Sequence, residues 1–364
     1  MKPDISVVMT AYNGEKFIAQ AVDSILNQTF KNFEFIIVDD YSSDQTYKII
    51  SSYQDPRIQL IRNKENLGQT KSLNIALEQS EGEFIARMDA DDVSCPERLA
   101  VQYEYLKNNP HIAVVGTWCK DINENGKFIR TYKVPCDSLI IKMFLAVSGD
   151  LTVWCLSHPT VLMRREALEA VGFYTERPNT NKGHPQDYDL WMKLARGYQL
   201  ANIPQALLKY RILFNSDSRL YPKKQLDARF EITKDKIHYY LPSLKEDQLY
   251  SLARMIEYYP QEDKMAGEKI LDLFEAYFEA YTAYEFKKHS LIKKYKEKIK
   301  LYYLPQLFLT NKRLSIRHFL KIISQYPAFF FDPRFYRKVI KVFLMRTLRE
   351  EKFIYLVKKV FSYR

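Results

Sequence analysis

Clustered carboxylates after an apolar segment are the residues of this sequence best suited to chemistry. Phe84 to Met88 reads as a short buried strand. It runs directly into Asp89, Asp91 and Asp92. Like charges this close repel one another unless a cation or hydrogen-bond donors compensate them. An Asp-x-Asp pair offers the hard oxygen ligands that Mg²⁺ and Mn²⁺ prefer and leaves other positions to phosphate oxygens and water. The pattern predicts a metal and diphosphate site at Asp89 and Asp91, with Asp92 capping the next helix.

Two earlier predicted strands end in residues that can contact a ligand. Glu34 to Val38 is followed by Asp39 and Asp40, and the first strand ends before Ala11 and Tyr12. In a parallel sheet the ends of these two strands and of Phe84 to Met88 would meet at one edge. In open α/β sheets, ligands bind at the carboxyl ends of the strands. A carboxylate there can accept from a ribose hydroxyl or a base N–H, and Tyr12 can stack on a base. No dinucleotide glycine fingerprint or phosphate-loop motif is present, so the diphosphate would be held through the metal.

Single strands alternating with single helices position these side chains. The alternation predicts βαβ units with right-handed crossovers, and hence a mostly parallel α/β sheet flanked by helices. Beyond residue 218 the sequence becomes helical and rich in Lys, Tyr and Phe. We therefore expect a catalytic domain at residues 1–218 and a basic, aromatic-rich helical domain at 219–364. The first four strands are predicted at Ile5 to Thr10, Glu34 to Val38, Arg57 to Arg62 and Phe84 to Met88, and the last strand at Ala206 to Ile212.

The net charge of +11 is unevenly distributed along the 364 residues. Residues 281–364 contain 21 Lys and Arg against 5 Asp and Glu, which is +16 and leaves −5 for residues 1–280. Apolar helical faces rimmed with lysine in the segments 339–348 and 353–361 favour the inner leaflet of a membrane. The alternative is that these faces pack on the catalytic domain or on a second subunit. A nucleic-acid partner is not expected, because the tail matches no recognition motif and the front is acidic.

The cysteines and the apolar runs indicate where the protein works. Four cysteines without paired or metal-type spacing are typical of reduced thiols in a cytosolic protein. The N-terminus enters a strand directly, without a secretory signal, and no apolar run is long enough to span a bilayer. We therefore expect a cytoplasmic protein that is peripheral on the cytoplasmic face of the membrane.

Six segments fall in a familiar order. They are Ile5 to Asn13, Ile37 to Asp44, Asn66 to Gly68, Gly82 to Asp92, His158 to Arg165 and Gln186 to Trp191. In type, order and spacing they resemble the successive motifs of family 2 inverting glycosyltransferases of the GT-A fold. The resemblance covers roughly residues 4–215.

The resemblance implies a role for each matching residue on the donor side. Ala11, Tyr12, Asp39 and Asp40 would bind the nucleoside, with Asp40 favoured for the base or ribose. Lys71 would approach the phosphates, against the alternative of a solvated helix charge.

On the reacting side, the resemblance implies that Asp89 and Asp91 form the motif for Mn²⁺ or Mg²⁺, with Asp91 as the direct ligand. Asp187 would be the general base, against the alternative of a first-turn acid that complements the helix dipole. His158 is assigned to the acceptor side, against the alternative of a hydrogen-bonded loop histidine. We expect Asp189 to pair with a cation.

The sequence departs from the family pattern in two places. Gln186 stands where the family often has Glu, and a neutral residue there should raise the pKa of Asp187 less. Tyr210 and Arg211 are followed by Ile212 where the family often carries a His that is sometimes a metal ligand. A third protein ligand, and strict metal dependence with it, stays open.

The resemblance implies transfer of a sugar, with inversion, from a nucleotide-diphosphate donor of the UDP-linked type. The acceptor would be a glycan or a lipid-linked glycan. One alternative is a nucleotidyltransferase, which shares the architecture but releases pyrophosphate. The other is a catalytically inactive glycan-binding or scaffold protein, which Gln186 hints at.

Overall fold

The computed structural model describes residues 2–147, 155–177, 185–213, 222–257 and 267–286. The chain divides into two compact units, which are treated separately below. The first comprises Met1–Ala146 with Leu151–Arg229, and the second Val147–Asp150 with Phe230–Arg364. The boundary predicted after residue 218 falls outside the described residues and stays a prediction.

The first four strands of the first unit lie where the sequence predicts them, because β-branched and apolar residues fill them. The strand β5 was not predicted. The strands of this unit are β1 (Ile5–Ala11), β2 (Phe33–Asp39), β3 (Ile58–Arg62), β4 (Phe84–Asp89), β5 (Val93–Ser94), β6 (Ile112–Ile122), β7 (Phe128–Tyr132), β8 (Leu162–Arg164) and β9 (Gln199–Arg211).

The helices between these strands bury one apolar side each. In α1, for example, Ala21, Val22 and Ile25 are fully buried. The helices are α1 (Ile18–Leu26), α2 (Thr46–Ser51), α3 (Gln69–Gln79), α4 (Arg98–Asn108), α5 (Ser138–Val147), α6 (Arg165–Val171) and α7 (Gln186–Ala195), with a 3₁₀ turn at His158–Thr160.

One sheet runs through the unit in the order β3-β2-β1-β4-β8-β6-β9-β5, and β7 pairs with β6 outside that path. The first four strands in this order are parallel, as the alternation predicted. β8 is antiparallel to both β4 and β6, whereas β6 and β9 are parallel. The strand β9 is longer than the predicted segment Ala206 to Ile212, and it contains Pro204.

The register of the parallel strands places their carboxyl ends side by side at one edge of the sheet. Ala11 at the end of β1 lies opposite Asp39 of β2, and Thr10 lies opposite Asp89 of β4. Arg62 at the end of β3 lies opposite Asp39. The predicted meeting of three strand ends at one edge is therefore confirmed.

The described part of the second unit is helical, as predicted. Its helices are α8 (Pro222–Tyr240, which begins in the first unit), α9 (Glu246–Glu257) and α10 (Gly267–Phe286). Tyr240 packs against Tyr281 with ring centroids 4.8 Å apart, and Phe274 and Tyr277 are buried. None of the helices described is long and apolar enough to cross a membrane. The apolar faces predicted in 339–348 and 353–361 lie outside the described residues.

Candidate functional site

Asp39, at the end of β2, is fully buried and keeps one carboxylate oxygen without a donor among the described residues. Its Oδ2 accepts the N–H of Ser42 at 3.3 Å and lies 3.3 Å from Nε of Arg62. Its Oδ1 has no hydrogen-bond partner. A buried acceptor without a donor costs about 1–3 kcal/mol. A ligand N–H or O–H placed at Oδ1 would recover that free energy.

Asp40, the next residue, uses both oxygens within the protein. Oδ1 accepts from the N–H of Leu67 and from Nδ2 of Asn63, each at 2.8 Å. Oδ2 accepts the N–H of Gly68 at 2.8 Å. Gly68 directly precedes α3 and has a φ of 86°, a conformation that favours glycine. The Asp40 carboxylate therefore anchors the loop that leads into α3, and its predicted contact with the base or ribose stays a prediction.

The other residues predicted to bind the nucleotide lie beside these acids. Ala11 is buried, and its carbonyl accepts the N–H of Asp40 at 2.8 Å. Tyr12 is 48% exposed, as a ring that stacks on a base would need to be. Lys71 is exposed on the first turn of α3. Their roles stay predictions.

Asp89, at the end of β4, has an internal counter-ion. Nη2 of Arg87 lies 2.5 Å from Oδ1 of Asp89, and Nη1 of Arg87 donates to the Met88 carbonyl. The Arg87 side chain is fully buried, whereas the Asp89 side chain is 24% exposed. An arginine inside an apolar strand, two residues before an acid on the same face, is the sequence signal that could have predicted this pair.

Asp91 and Asp92 are crowded acids in a largely desolvated setting. Burial raises the pKa of Asp91 to about 7, and repulsion from Asp89 adds to the shift. Burial also raises the pKa of Asp92, with repulsion from Asp91 as the next cause. Oδ2 of Asp92 has no hydrogen-bond partner among the described residues. A divalent cation against Asp89 and Asp91 would relieve this repulsion, so the donor set fits such an ion.

The prediction that Asp92 caps the next helix is wrong. That helix, α4, begins at Arg98, and Val93 and Ser94 form β5 in between. Oδ1 of Asp92 instead accepts the N–H of Arg211 at 2.8 Å. The pairing of β5 with β9 brings this distant part of the chain beside the acids.

Arg211, the last residue of β9, connects the acidic loop, Asp89 to Asp92, to two other segments through hydrogen bonds. Its Nε donates to the Asp91 carbonyl at 2.8 Å, and its Nη2 donates to Oε1 of Gln20 at 2.6 Å. Its Nη1 donates to the carbonyls of Asn123 and Glu124. No role was predicted for Arg211, because its partners are far apart in the sequence.

Asp187 lies in the first turn of α7, and its Oδ1 accepts the N–H of Tyr188 at 2.8 Å. Burial raises the pKa of Asp187, the Tyr188 hydrogen bond opposes this shift, and Asp89 adds a smaller repulsion. The predicted base is thus within electrostatic reach of the predicted metal motif. Asp189 lies 3.4 Å from Nη2 of Arg177, so its predicted pairing with a cation is confirmed.

His158, in the 3₁₀ turn, is buried. Its Nε2 lies 2.7 Å from the Tyr174 hydroxyl, and its ring meets Trp191 edge to face. Burial lowers the pKa of His158 well below its usual value, and the Arg87 charge lowers it further. The imidazole is therefore neutral, and its predicted contact with the acceptor stays a prediction.

Among the residues that the structure describes, no group of three or more His, Cys, Asp and Glu side chains gathers as a complete metal cage. Two carboxylates that leave the remaining ligands to a substrate form a different kind of site. The arrangement at Asp89 and Asp91 belongs to this second kind.

The sequence has clear relatives. The family described as Glycosyl transferase family 2 matches residues 6–172. An uncharacterised glycosyltransferase of Haemophilus influenzae is 34% identical over 67% of this chain and 76% of its own length. The UDP-Glc:alpha-D-GlcNAc-diphosphoundecaprenol beta-1,3-glucosyltransferase WfgD of Escherichia coli is 30% identical over 59% of this chain and 79% of its own length.

The fold is also similar to that of solved structures. Staphylococcus aureus TarS (residues 1–349), crystallised with UDP-GlcNAc, superposes with a TM-score of 0.55. The match covers 84% of this chain and 90% of that chain at 22% identity. The predicted GT-A fold is therefore confirmed.

Proposed function

The chain belongs to glycosyl transferase family 2 and is a glycosyltransferase, and from that premise we propose that it transfers one sugar from a UDP-linked donor with inversion. The acceptor is a hydroxyl of a glycan or of a lipid-linked glycan. The names of WfgD and of the TarS complex support a UDP-sugar, and the name of WfgD supports a lipid-linked acceptor.

One observation carries this proposal, namely the grouping of the predicted acids. Asp39 and Asp89 lie at strand ends on either side of β1, and Asp187, in the first turn of α7, is within electrostatic reach of Asp89. Asp39 offers an unsatisfied buried oxygen to the donor's nucleoside. Asp89 and Asp91 repel one another, and a cation that carries the diphosphate would relieve this repulsion. Asp187 feels the charge of Asp89 and has a raised pKa, which suits a base that works near neutral pH.

The hydrogen bonds move our preference for the nucleoside contact from Asp40 to Asp39. Asp40 already accepts from Asn63, Leu67 and Gly68. Asp39 retains a free acceptor on the same edge, opposite Ala11. We assign Tyr12 to stacking on the base and Lys71 to the phosphates.

Mn²⁺ or Mg²⁺ would be held by Asp89 and Asp91, with Asp91 as the direct ligand. When bound, the ion supplies neutralisation of the charge that develops on the departing diphosphate. Arg87 holds Asp89 in place through their ion pair, and Arg211 fixes the backbone of Asp91 through a hydrogen bond to its carbonyl.

Asp187 takes the proton from the acceptor hydroxyl as its oxygen attacks the anomeric carbon of the donor. The new glycosidic bond forms on the face opposite the diphosphate while the bond from that carbon to the diphosphate oxygen breaks. UDP leaves with the electron pair of the broken bond, and the proton stays on Asp187. His158 lies on the acceptor side as a neutral group that orients its neighbours through Tyr174.

The second domain and the cellular location belong to the same proposal. The basic, aromatic-rich region beyond residue 218 attaches the protein to the cytoplasmic face of the membrane, or pairs it with a second subunit. Both roles rest on sequence patterns outside the described residues.

A screen of nucleotide sugars with product analysis tests the reaction. Release of UDP together with a glycosylated acceptor is expected, whereas pyrophosphate would favour a nucleotidyltransferase. UDP-sugar binding without hydrolysis or transfer would favour an inactive binding protein.

Asp187→Asn tests the base. Turnover should fall by roughly 10²–10⁴-fold, the usual contribution of a general base, while UDP binding survives. Asp189→Asn is the matched control on the same helix and should keep most of the activity, because Asp189 pairs with Arg177. Unchanged turnover in Asp187→Asn would sink the assignment.

A further inference from the structure

The β6–β7 hairpin exposes two adjacent apolar side chains. Phe128 is 55% exposed and Ile129 is 50% exposed. Apart from tyrosines, they are the most exposed of the large hydrophobic residues that the structure describes. A bulge between Asp121 and Ile122 of β6 interrupts the pairing opposite them. Exposing neighbouring apolar residues costs solvation free energy, which a covering surface would recover.

The charges around Phe128 and Ile129 indicate which kind of partner surface would cover them. Residues 118–133 contain four basic and two acidic side chains. Both acids are already paired, Asp121 with Arg130 at 2.7 Å and Glu124 with Lys16. Exposed lysines remain at 120, 127 and 133, the last with its Nζ 5.0 Å from the centre of the Trp118 ring, so the hairpin that exposes the apolar pair also carries exposed positive charge.

The same charges disfavour a second copy of the hairpin as the partner. Two copies of β7 paired edge to edge would bring Lys127 and Arg130 of both chains together. Like charges directly opposite one another destabilise such a pair. An anionic surface with an apolar interior would attract these basic residues and could also cover the apolar pair.

We propose that the tip of the β6–β7 hairpin, formed by Phe128 and Ile129 with Lys120, Lys127 and Lys133, docks on an anionic phospholipid surface. The apolar pair enters the interface, and the lysines meet the headgroups. The hairpin turn is connected to the acidic loop, since Arg211 donates to the carbonyls of Asn123, Glu124 and Asp91. Docking therefore sets the orientation of the acidic loop relative to the membrane.

Tryptophan quenching in the full chain tests this contact at the residue itself. Phe128→Trp adds a fourth tryptophan to the three native ones. With vesicles of brominated phosphatidylglycerol, its emission should be quenched beyond that of the unmodified chain. With brominated phosphatidylcholine the additional quenching should be lost. Gln59→Trp is the matched control, because Gln59 is an exposed residue of β3 at the opposite end of the sheet.

Affinity provides the second readout. The double change Phe128→Ser and Ile129→Ser should weaken binding to phosphatidylglycerol vesicles by roughly tenfold or more, since two apolar side chains lose their burial. Lys127→Gln should weaken it by about fivefold, the equivalent of about 1 kcal/mol for one basic residue. Neither assay contains donor or acceptor, so a failure here is independent of the transferase proposal.

Three outcomes would overturn the proposal. The first is the absence of additional quenching in Phe128→Trp. The second is equal quenching in Gln59→Trp, which would mean contact without orientation. The third is a fall in oligomeric state of the double variant in lipid-free solution, which would make the tip an interface between copies. A separate membrane contact by residues 287–364 would not mimic local quenching at position 128.

Discussion

Nε2 of Gln186 donates a hydrogen bond to Oε1 of Gln69 at 2.6 Å. Gln69 is the first residue of α3, directly after the loop that Asp40 anchors. Gln186 is the first residue of α7 and precedes Asp187. The bond therefore joins the nucleotide side of the site to the helix that carries the proposed base. A residue that looked like a departure from the family pattern has a specific structural partner.

A double-mutant cycle should show that these two glutamines act as one unit. Gln69→Ala and Gln186→Ala should each lower kcat by about 2–10-fold, the range for a neutral hydrogen bond of about 0.5–1.5 kcal/mol. The double variant should be no slower than the worse single variant, because the first change already removes the bond. Strictly additive losses would show that the two residues act separately. Gln79→Ala, at the other end of α3, is the control.

Gln186→Glu should move the acid limb of the pH profile of kcat/KM to higher pH. Burial already raises the pKa of Asp187, and a second carboxylate beside it adds repulsion in the same direction. Only ionised Asp187 can accept the proton, so activity is present above the raised pKa and is lost as the pH falls through it. Gln79→Glu adds the same charge at the far end of α3 and should leave the limb in place. An unmoved limb in Gln186→Glu would contradict Asp187 as the base.

The grouping of acidic residues at one edge of the sheet could be predicted, because it follows from short-range sequence patterns. Apolar strands alternating with helices specify a parallel sheet, and such a sheet puts the ends of β1, β2 and β4 together. The order of the motifs then identified the GT-A fold. Long-range partners could not be predicted in this way. The contacts of Arg211 with Gln20, Asn123 and Asp91 exist only once β9 lies beside β5 and β6.

Two errors have local physical causes. Aspartate is a common helix cap, so Asp92 was predicted to cap α4. The residues after it, Val93 and Ser94, instead form β5 and pair with β9, so α4 begins later. The start of β9 was missed because Pro204 argues against a strand. The sheet accommodates this proline with an irregular register, in which Ile203 and Ala206 pair with the successive residues Thr117 and Trp118 of β6.

Substituting the neighbouring acids Asp39 and Asp40 should separate binding from stability. Asp39→Asn removes the charged acceptor whose Oδ1 is unsatisfied, and UDP should bind about 10–100-fold more weakly. Asp40→Asn turns an amide donor towards the N–H of Leu67 or Gly68, which should cost about 1–3 kcal/mol of stability. Calorimetry of UDP binding and thermal unfolding measure the two effects. The reverse pattern would return the nucleoside contact to Asp40.

Substitutions in the acidic loop should distinguish the metal carboxylate from its structural neighbour. Asp91→Ala should abolish the tightening of UDP binding by Mn²⁺, because the proposed direct ligand is gone. Asp92→Asn is the matched control, since its amide oxygen can still accept the N–H of Arg211. It should keep most of the Mn²⁺ effect and most of the stability. Calorimetry of UDP binding with and without Mn²⁺ measures the difference, and a normal Mn²⁺ effect in Asp91→Ala would remove that residue from the metal site.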